Sequence, residues 1–347
     1  MENNDGQRTT RPNALVTGAN GFMGTHMLEL LAERGYDVLA TDIGPSPAVR
    51  PPMQLPGQRF VYRQCDLRDR SQVAALAGDE DFDYVFHIAG LFDYSAAYKD
   101  LFDVNVLGTL NLLDALTSRS ERPKRMVVWG AAGVYDFDKE SPAKETSPVN
   151  PKGGYLTTKY MEERLVLETG ARRGLQVTVI RPCGVYGPRS RYGVAMSIIM
   201  CARGGMGPFY FGSGSTRAGM IHVEDVCRSA LFLSRRVEAA GEIYNVNDDS
   251  SYATADLMRT CAERLGFPLI PGNLPIGIMR FFVGNLGKKA SKKGRISGVN
   301  AEMTDLLAYD AMLDASKIKA LGWTPKHPDS LKGLLSTIDW YEKEGWL

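Results

Sequence analysis

Short apolar runs and amphipathic stretches alternate through the first half of the chain. The runs Ala14–Thr17, Val38–Thr41, Phe60–Tyr62, Tyr84–Ile88, Arg125–Trp129 and Val177–Ile180 are brief and mostly bounded by polar or glycine residues. Such runs read as buried strands. Helical stretches separate several of them, near 22–34, 70–77, 98–118 and 154–173. Strands that alternate with helices predict an α/β fold with a doubly wound parallel sheet. Beyond about residue 185 the order loosens, where Gly204, Gly205, Gly207, Pro208, Gly212 and Gly214 punctuate a loop-rich region. Shorter helices are expected near 223–235, 254–265, 301–307 and 329–343. The expected division is a disordered tail over 1–12, a sheet domain over 13–185, and a smaller, mainly substrate-binding lobe over 186–347 that returns in places to the sheet domain.

Composition changes this picture little. The chain has 347 residues, 44% of them hydrophobic, enough for a sizeable core. Lysine plus arginine total 41 and aspartate plus glutamate 40, so the net charge of +1 gives no reason to expect nucleic acid as a partner. The cysteines at 65, 183, 201, 227 and 261 form no CxxC pair and are odd in number. Free thiols in a reducing compartment are expected. The tail Met1–Pro12 has no apolar h-region, and no stretch reaches the about 18 apolar residues of a membrane span. A cytoplasmic protein is expected.

Chemistry concentrates at two places. Strand Ala14–Thr17 runs into Gly18-Ala-Asn-Gly21-Phe-Met-Gly24 and then a helix. Glycines there let the backbone approach a pyrophosphate, which sits at the positive end of the helix. Asp42 closes the second strand, 24 residues after Gly18. A carboxylate at that place accepts both ribose hydroxyls and repels a 2′-phosphate, which favours NAD over NADP. Asp66, after the third strand, could meet an adenine amino group or equally cap a helix. The second place is Tyr155 and Lys159, four residues apart and therefore on one helix face. An ammonium beside a phenol favours the phenolate, and a tyrosine so tuned passes a proton to or from a substrate hydroxyl.

These residues resemble the extended short-chain dehydrogenases/reductases, the NAD-dependent epimerase/dehydratase superfamily. The resemblance rests on Thr17–Gly24, Asp42, Asp66-Leu67, His87-Ile-Ala-Gly90, Asn105-Val-Leu-Gly-Thr109, Tyr155-x-x-x-Lys159, Arg181-Pro182 and Tyr186-Gly187-Pro188. It continues in Ile221-His-Val-Glu-Asp225 and Leu321-Gly-Trp323. It implies a Rossmann domain with a C-terminal lobe, tightly or transiently bound NAD(P), which Asp42 narrows to NAD, and a homodimer through a four-helix bundle built from the helices near 98–118 and 154–173. Carried over residue by residue, it implies that NAD lies against Gly18, Asn20, Gly21, Phe22, Met23, Gly24, Asp42, Ile43, Asp66, Leu67, Ile88, Ala89, Gly90, Asn105, Tyr155, Lys159, Pro182, Cys183 and Val185. Tyr155 maps to the general acid/base. Lys159 maps to the residue that holds the nicotinamide ribose and lowers the tyrosine pKa.

The chain departs from the family pattern in two ways. The family usually places Ser or Thr four residues before the aromatic that ends the loop after the fifth strand, and here that place is Ala131. Tyr94 and Ser95 are candidate substitutes, with a plain surface turn as the other reading. Nucleotide-sugar members often carry Asn and Arg where this chain has Gly184 and Ala218. The stretch His87–Ala115 and the motif Arg181-Pro-x-x-x-Tyr186-Gly187 resemble the 3β-hydroxysteroid-dehydrogenase-like branch, which acts on apolar alcohols. The apolar segment Leu274–Leu286, followed by Lys288, Lys289, Lys292 and Lys293, suits a substrate lid, contact with a membrane surface, or plain packing. His26, His87, His222 and His327 show no metal-ligand spacing, so no metal site is expected. Three functions stay open: an oxidoreductase on an apolar or hydroxyacyl alcohol or ketone, a nucleotide-sugar epimerase or dehydratase, and a non-catalytic NAD-binding protein.

Overall fold

Each apolar run forms a strand: β1 (Asn13–Thr17), β2 (Asp37–Asp42), β3 (Phe60–Gln64), β4 (Tyr84–His87), β5 (Arg125–Trp129) and β6 (Val177–Pro182). The structure is a computed structural model and describes residues 11–53, 55–78, 80–191, 210–211, 214–267, 273–274 and 309–347. Short strands follow at β7 (Gly184–Tyr186), β8 (Tyr210–Phe211), β9 (Met220–His222), β10 (Ile243–Val246) and β11 (Asn273–Leu274). Seven strands make one sheet in the order β10-β6-β5-β4-β1-β2-β3, and every pairing within it is parallel. The order reverses between β1 and β4. That switch point opens a crevice beyond the C-terminal ends of the strands.

The seventh strand, β10, is the one the apolar pattern misses. It is only four residues long and carries the buried Asn245 in its middle. The amide is satisfied from outside the sheet: Tyr135 donates its hydroxyl to Asn245 Oδ1 at 2.7 Å, and Asn245 Nδ2 donates to the Ala143 carbonyl at 2.9 Å.

The helices are α1 (Phe22–Glu33), α2 (Arg70–Gly78), α3 (Tyr98–Phe102), α4 (Gly108–Thr117), α5 (Gly153–Arg173), α6 (Val223–Ser234), α7 (Thr254–Arg264), α8 (Ser316–Ala320) and α9 (Ser330–Lys343). Helix α5 ends at Gly174, whose φ of 69° supplies the left-handed cap. The helix expected unbroken over 98–118 contains a π-helical turn at Asp103–Leu107 between α3 and α4. Asn105 in that turn is tied to the loop after β4, since Leu91 N donates to its Oδ1 at 2.7 Å. A widened turn is a recurrent way to aim one side chain at a site.

Apolar side chains fill both faces of the sheet. Met27, Leu31, Phe86, Val127 and Ala230 join α1 and α6 to one face. Val73, Leu112, Leu116, Val128 and Val166 join α2, α4 and α5 to the other. A separate buried cluster of Tyr186, Met220, Leu257, Met258, Leu334, Ile338 and Tyr341 joins β7 and β9 to α7 and α9. The tail up to residue 10, most of the glycine-rich stretch, the helix expected near 301–307, and the Leu274–Leu286 segment beyond Leu274 with its lysines lie outside the described residues. Among the described residues, no helix is long and apolar enough to cross a membrane.

Candidate active site

A cavity of about 810 Å³ lies over the ends of the central strands, lined by Thr17, Asp42, Trp129 and Pro182, the last residues of β1, β2, β5 and β6. Gly18, Asn20, Gly21, Phe22 and Met23 line it as the turn from β1 into α1. Gly18 has a φ of +68°, and a Cβ on it would sit 2.6 Å from Ala89 N. Only glycine suits both constraints. Gly21 is the N-cap of α1 and supplies no side-chain cap to the free N–H groups of its first turn, which leaves a positive helix end at the cavity. Gly24 does not line the cavity. A Cβ there would collide with the Gly18 carbonyl, so this glycine lets α1 pass close to the turn.

Asp42 is held from behind. Asn20 N donates to Oδ2 at 2.9 Å and Ile43 N to Oδ1 at 2.8 Å. Each oxygen retains a lone pair for a hydroxyl in the cavity. Asp66, Leu67, Ile43, Ile88, Ala89 and Gly90 also line the wall. Arg68, which sequence reasoning passed over, clasps Asp66 through Nε at 3.0 Å and Nη2 at 2.7 Å. These hydrogen bonds hold the Asp66 carboxyl below its ordinary range.

At the other end stand Tyr155, Lys159, Ala131, Tyr94, Pro182, Cys183 and Val185. Tyr155 is buried, and Phe92 and Tyr94 each turn a ring toward it at 5.0 Å between centroids. The hydroxyl-free loop from Trp129 to Gly133 lines the cavity through Ala131. Burial pushes the Cys183 thiol well up, away from the thiolate that a nucleophile needs. Two candidates lie off the wall. Ser95 closes a turn by donating its backbone N–H to Asp93 at 2.7 Å. Asn105 braces the loop, donating through Nδ2 to the Thr158 hydroxyl at 3.1 Å.

Lys159 has a partner the sequence did not reveal. Its ammonium donates to Glu162, and both side chains are almost wholly buried. Burial raises the Glu162 carboxyl to about 7 against the pull of Lys159. His87 sits beside it, bridging the hydroxyls of Thr17 at 2.7 Å and Thr109 at 2.8 Å. Burial lowers His87 to about 3, so the ring is neutral. Away from the cavity, His222, Glu224 and His327 bring possible ligand atoms within 4.8 Å of one another, a grouping that residue spacing hides. Those groups already bond each other: Glu224 N donates to His222 Nδ1 at 3.3 Å, and His327 Nε2 lies 3.0 Å from the Glu224 carboxylate.

A Rossmann sheet, a glycine turn and a Tyr–Lys pair on one cavity define a dinucleotide-dependent enzyme of the extended short-chain dehydrogenase type. The NAD dependent epimerase/dehydratase family matches residues 14–247, and the chain belongs to it. It is 27% identical over 351 residues to 3beta-hydroxysteroid-dehydrogenase/decarboxylase isoform 1 of Arabidopsis thaliana, covering 94% of this chain and 78% of that protein. It is 24% identical over 336 residues to a putative UDP-glucose 4-epimerase of Methanocaldococcus jannaschii, covering 94% and 97%. The fold matches a crystal structure of UDP-glucose 4-epimerase from Thermotoga maritima with a TM-score of 0.74 at 24% identity, over 96% of this chain and 99% of that one.

NAD is the cofactor of this family and, through that membership, of this enzyme. The residues present fit it: the turn at Gly18 has no room for a side chain, the first turn of α1 is uncapped, and the Asp42 carboxylate fronts the cavity.

Proposed function

We propose that the protein is an NAD-dependent oxidoreductase acting on a secondary alcohol or ketone of an apolar substrate, steroid-like or hydroxyacyl. The observation that carries this reading is the charge of the cavity wall. Its only cationic side chains among the described residues are Arg68 and Lys159, and each is already paired, with Asp66 and Glu162. A nucleotide sugar brings a diphosphate that needs its own cations or donors. The substrate end offers instead Phe92, Tyr94, Phe137, Leu156 and Val185, with Gly184 and Ala218 where a sugar-nucleotide enzyme often has Asn and Arg.

In this reading the glycine turn and the α1 N-terminus hold the pyrophosphate, and Asp42 accepts the ribose hydroxyls and disfavours NADP. When bound, NAD supplies the hydride acceptor or donor. Tyr155 gives its phenolic proton to the ketone oxygen or takes one from the alcohol. Lys159, one turn along the same face, steadies the ribose and favours the phenolate. Tyr94 supplies the hydrogen bond that a Ser or Thr at 131 would give. Residues 13–185 form the cofactor domain, and 186–347 mainly the substrate lobe. The helices α3, α4 and α5 form the dimer face, for which light scattering should give twice the monomer mass.

The second reading, a nucleotide-sugar epimerase or dehydratase, is favoured by the name of the Methanocaldococcus relative. One assay separates the two: purified protein with NAD and a panel of sterols, hydroxyacyl compounds and nucleotide sugars. NADH formation with an apolar alcohol supports the proposal. Conversion of a nucleotide sugar without net NADH formation overturns it.

A further inference from the structure

Glu162 is a carboxylate buried beneath the reacting end of the cavity, 1% exposed. It lies seven residues after Tyr155 and three after Lys159, so all share the inward face of α5. The groups that face it come from three elements. From α5, Lys159 donates to Oε2. From the end of β4, His87 Nε2 stands 3.5 Å from Oε1. From α4, the Thr109 hydroxyl stands 3.5 Å from the same oxygen. The adjacent acid Glu163 turns away and accepts from Arg181 Nε on β6 at 2.8 Å. His87 spends both ring nitrogens on threonine hydroxyls. Lys159 is therefore the cation of this cluster, and Glu162 is its counter-ion.

An ammonium acts on a neighbouring phenol through its charge, and in a poorly hydrated site a counter-ion in contact cancels much of that field. We propose that Glu162 is a positioning residue that aims the Lys159 ammonium and offsets its charge, so that Tyr155 keeps its phenolic proton to a higher pH than Lys159 alone would allow. The site is thereby set toward its proton-donating form. Lys159 itself lines the cavity, so the ion pair with Glu162 sits at the cavity wall. Burial of Glu162, which holds it near 7, means that the counter-charge is fully present on the alkaline side, where the phenol titrates.

The inference rests on Tyr155 as the proton-transfer group, but its test needs no turnover. Tyrosine is isotope-labelled at Cζ, the Tyr155 resonance is assigned by its loss in Tyr155→Phe, and its ionisation is followed by NMR as pH rises. Glu162→Gln keeps the shape and removes the charge. It is expected to make the phenol about tenfold more acidic than in the wild type. Glu162→Asp keeps the charge but draws it back from Lys159, and its midpoint should fall between the two. If Glu162→Gln does not fold, Glu162→Asp alone decides. A Tyr155 midpoint equal to or above the wild-type value in the folded variants overturns the proposal. Loss of activity in a turnover assay bears on the function and leaves this result standing or falling by itself.

Discussion

Tyr94 presents its ring to Tyr155 across 5.0 Å between centroids, and both side chains lie on the cavity wall. That relationship bears on the hydroxyl missing at Ala131. If Tyr94 donates to the reacting oxygen, Tyr94→Phe should lower kcat by about 10²–10³, the loss seen when one such donor is removed. Ala131→Ser in that background should restore part of it. Steady-state kinetics on the four combinations check this. A Tyr94→Phe enzyme with full kcat, sped further by Ala131→Ser, would show that no donor had replaced the hydroxyl.

Cofactor choice should turn on Asp42. Its two backbone hydrogen bonds fix the carboxylate toward the cavity. Asp42→Ser should weaken NAD by about tenfold or more, the worth of hydrogen bonds to a charged group, and should improve NADP. Calorimetric titration of both cofactors reads the change. Wild-type protein that binds NADP as tightly as NAD would contradict the assignment.

The glycines of the turn should differ sharply from a glycine elsewhere. A Cβ on Gly24 meets the Gly18 carbonyl, whereas one on Gly78 meets nothing within 4 Å. Gly24→Ala should lower the melting temperature and weaken NAD binding together, because α1 must shift. Gly78→Ala should stay within about 0.5 kcal/mol of the wild type. Thermal unfolding with and without NAD gives both numbers.

Acid should act late. Burial holds His26 near 4 and His87 and His222 near 3. In the unfolded chain each binds a proton near 6.5, so each destabilises the fold as pH drops below that value. Glu162 and Asp248 have the opposite sign. Burial raises both to about 7, so the folded state binds their protons first, and stability is gained until pH reaches their ordinary values of 4.5 and 3.8. Glu224, held near 2 by a hydrogen bond from His327, loses its contribution below 4.5. The melting temperature should therefore change little between about pH 6 and 5 and fall steeply below about 4.5. A steep fall beginning at pH 6.5 would mean that Glu162 and Asp248 are ionised in the folded protein.

Much of the cavity wall was legible because its residues are contiguous. Gly18 to Gly24 form one turn, Asp42 ends a strand, and Tyr155 and Lys159 share one helix face. Strand β10 was not legible, since a four-residue run with Asn245 inside it lacks an apolar pattern until Tyr135 and Ala143 arrive from afar. The same holds for the π-helical turn, which answers to Leu91 rather than to its own sequence. Glu162 lay on the readable face of α5, yet an acid on a helix is ordinarily solvated. Its burial depends on β4 and α4, which bring His87 and Thr109 against it from distant parts of the chain. Gly24 and Asn105 were expected against NAD by motif; neither lines the cavity, Gly24 packs on the Gly18 carbonyl and Asn105 accepts from Leu91 N.

Tyr155 is the proton-transfer group of the proposed reaction. Tyr155→Phe removes the phenolic oxygen and keeps the ring against Phe92 and Tyr94. Turnover on the substrate found by the panel should fall by about 10²–10⁴, the usual worth of a positioned acid/base. NAD binding measured by calorimetry should change little, because the proposed contacts lie mostly on the glycine turn and at Asp42. A Tyr155→Phe enzyme that binds NAD normally and turns over at the wild-type rate would contradict the account.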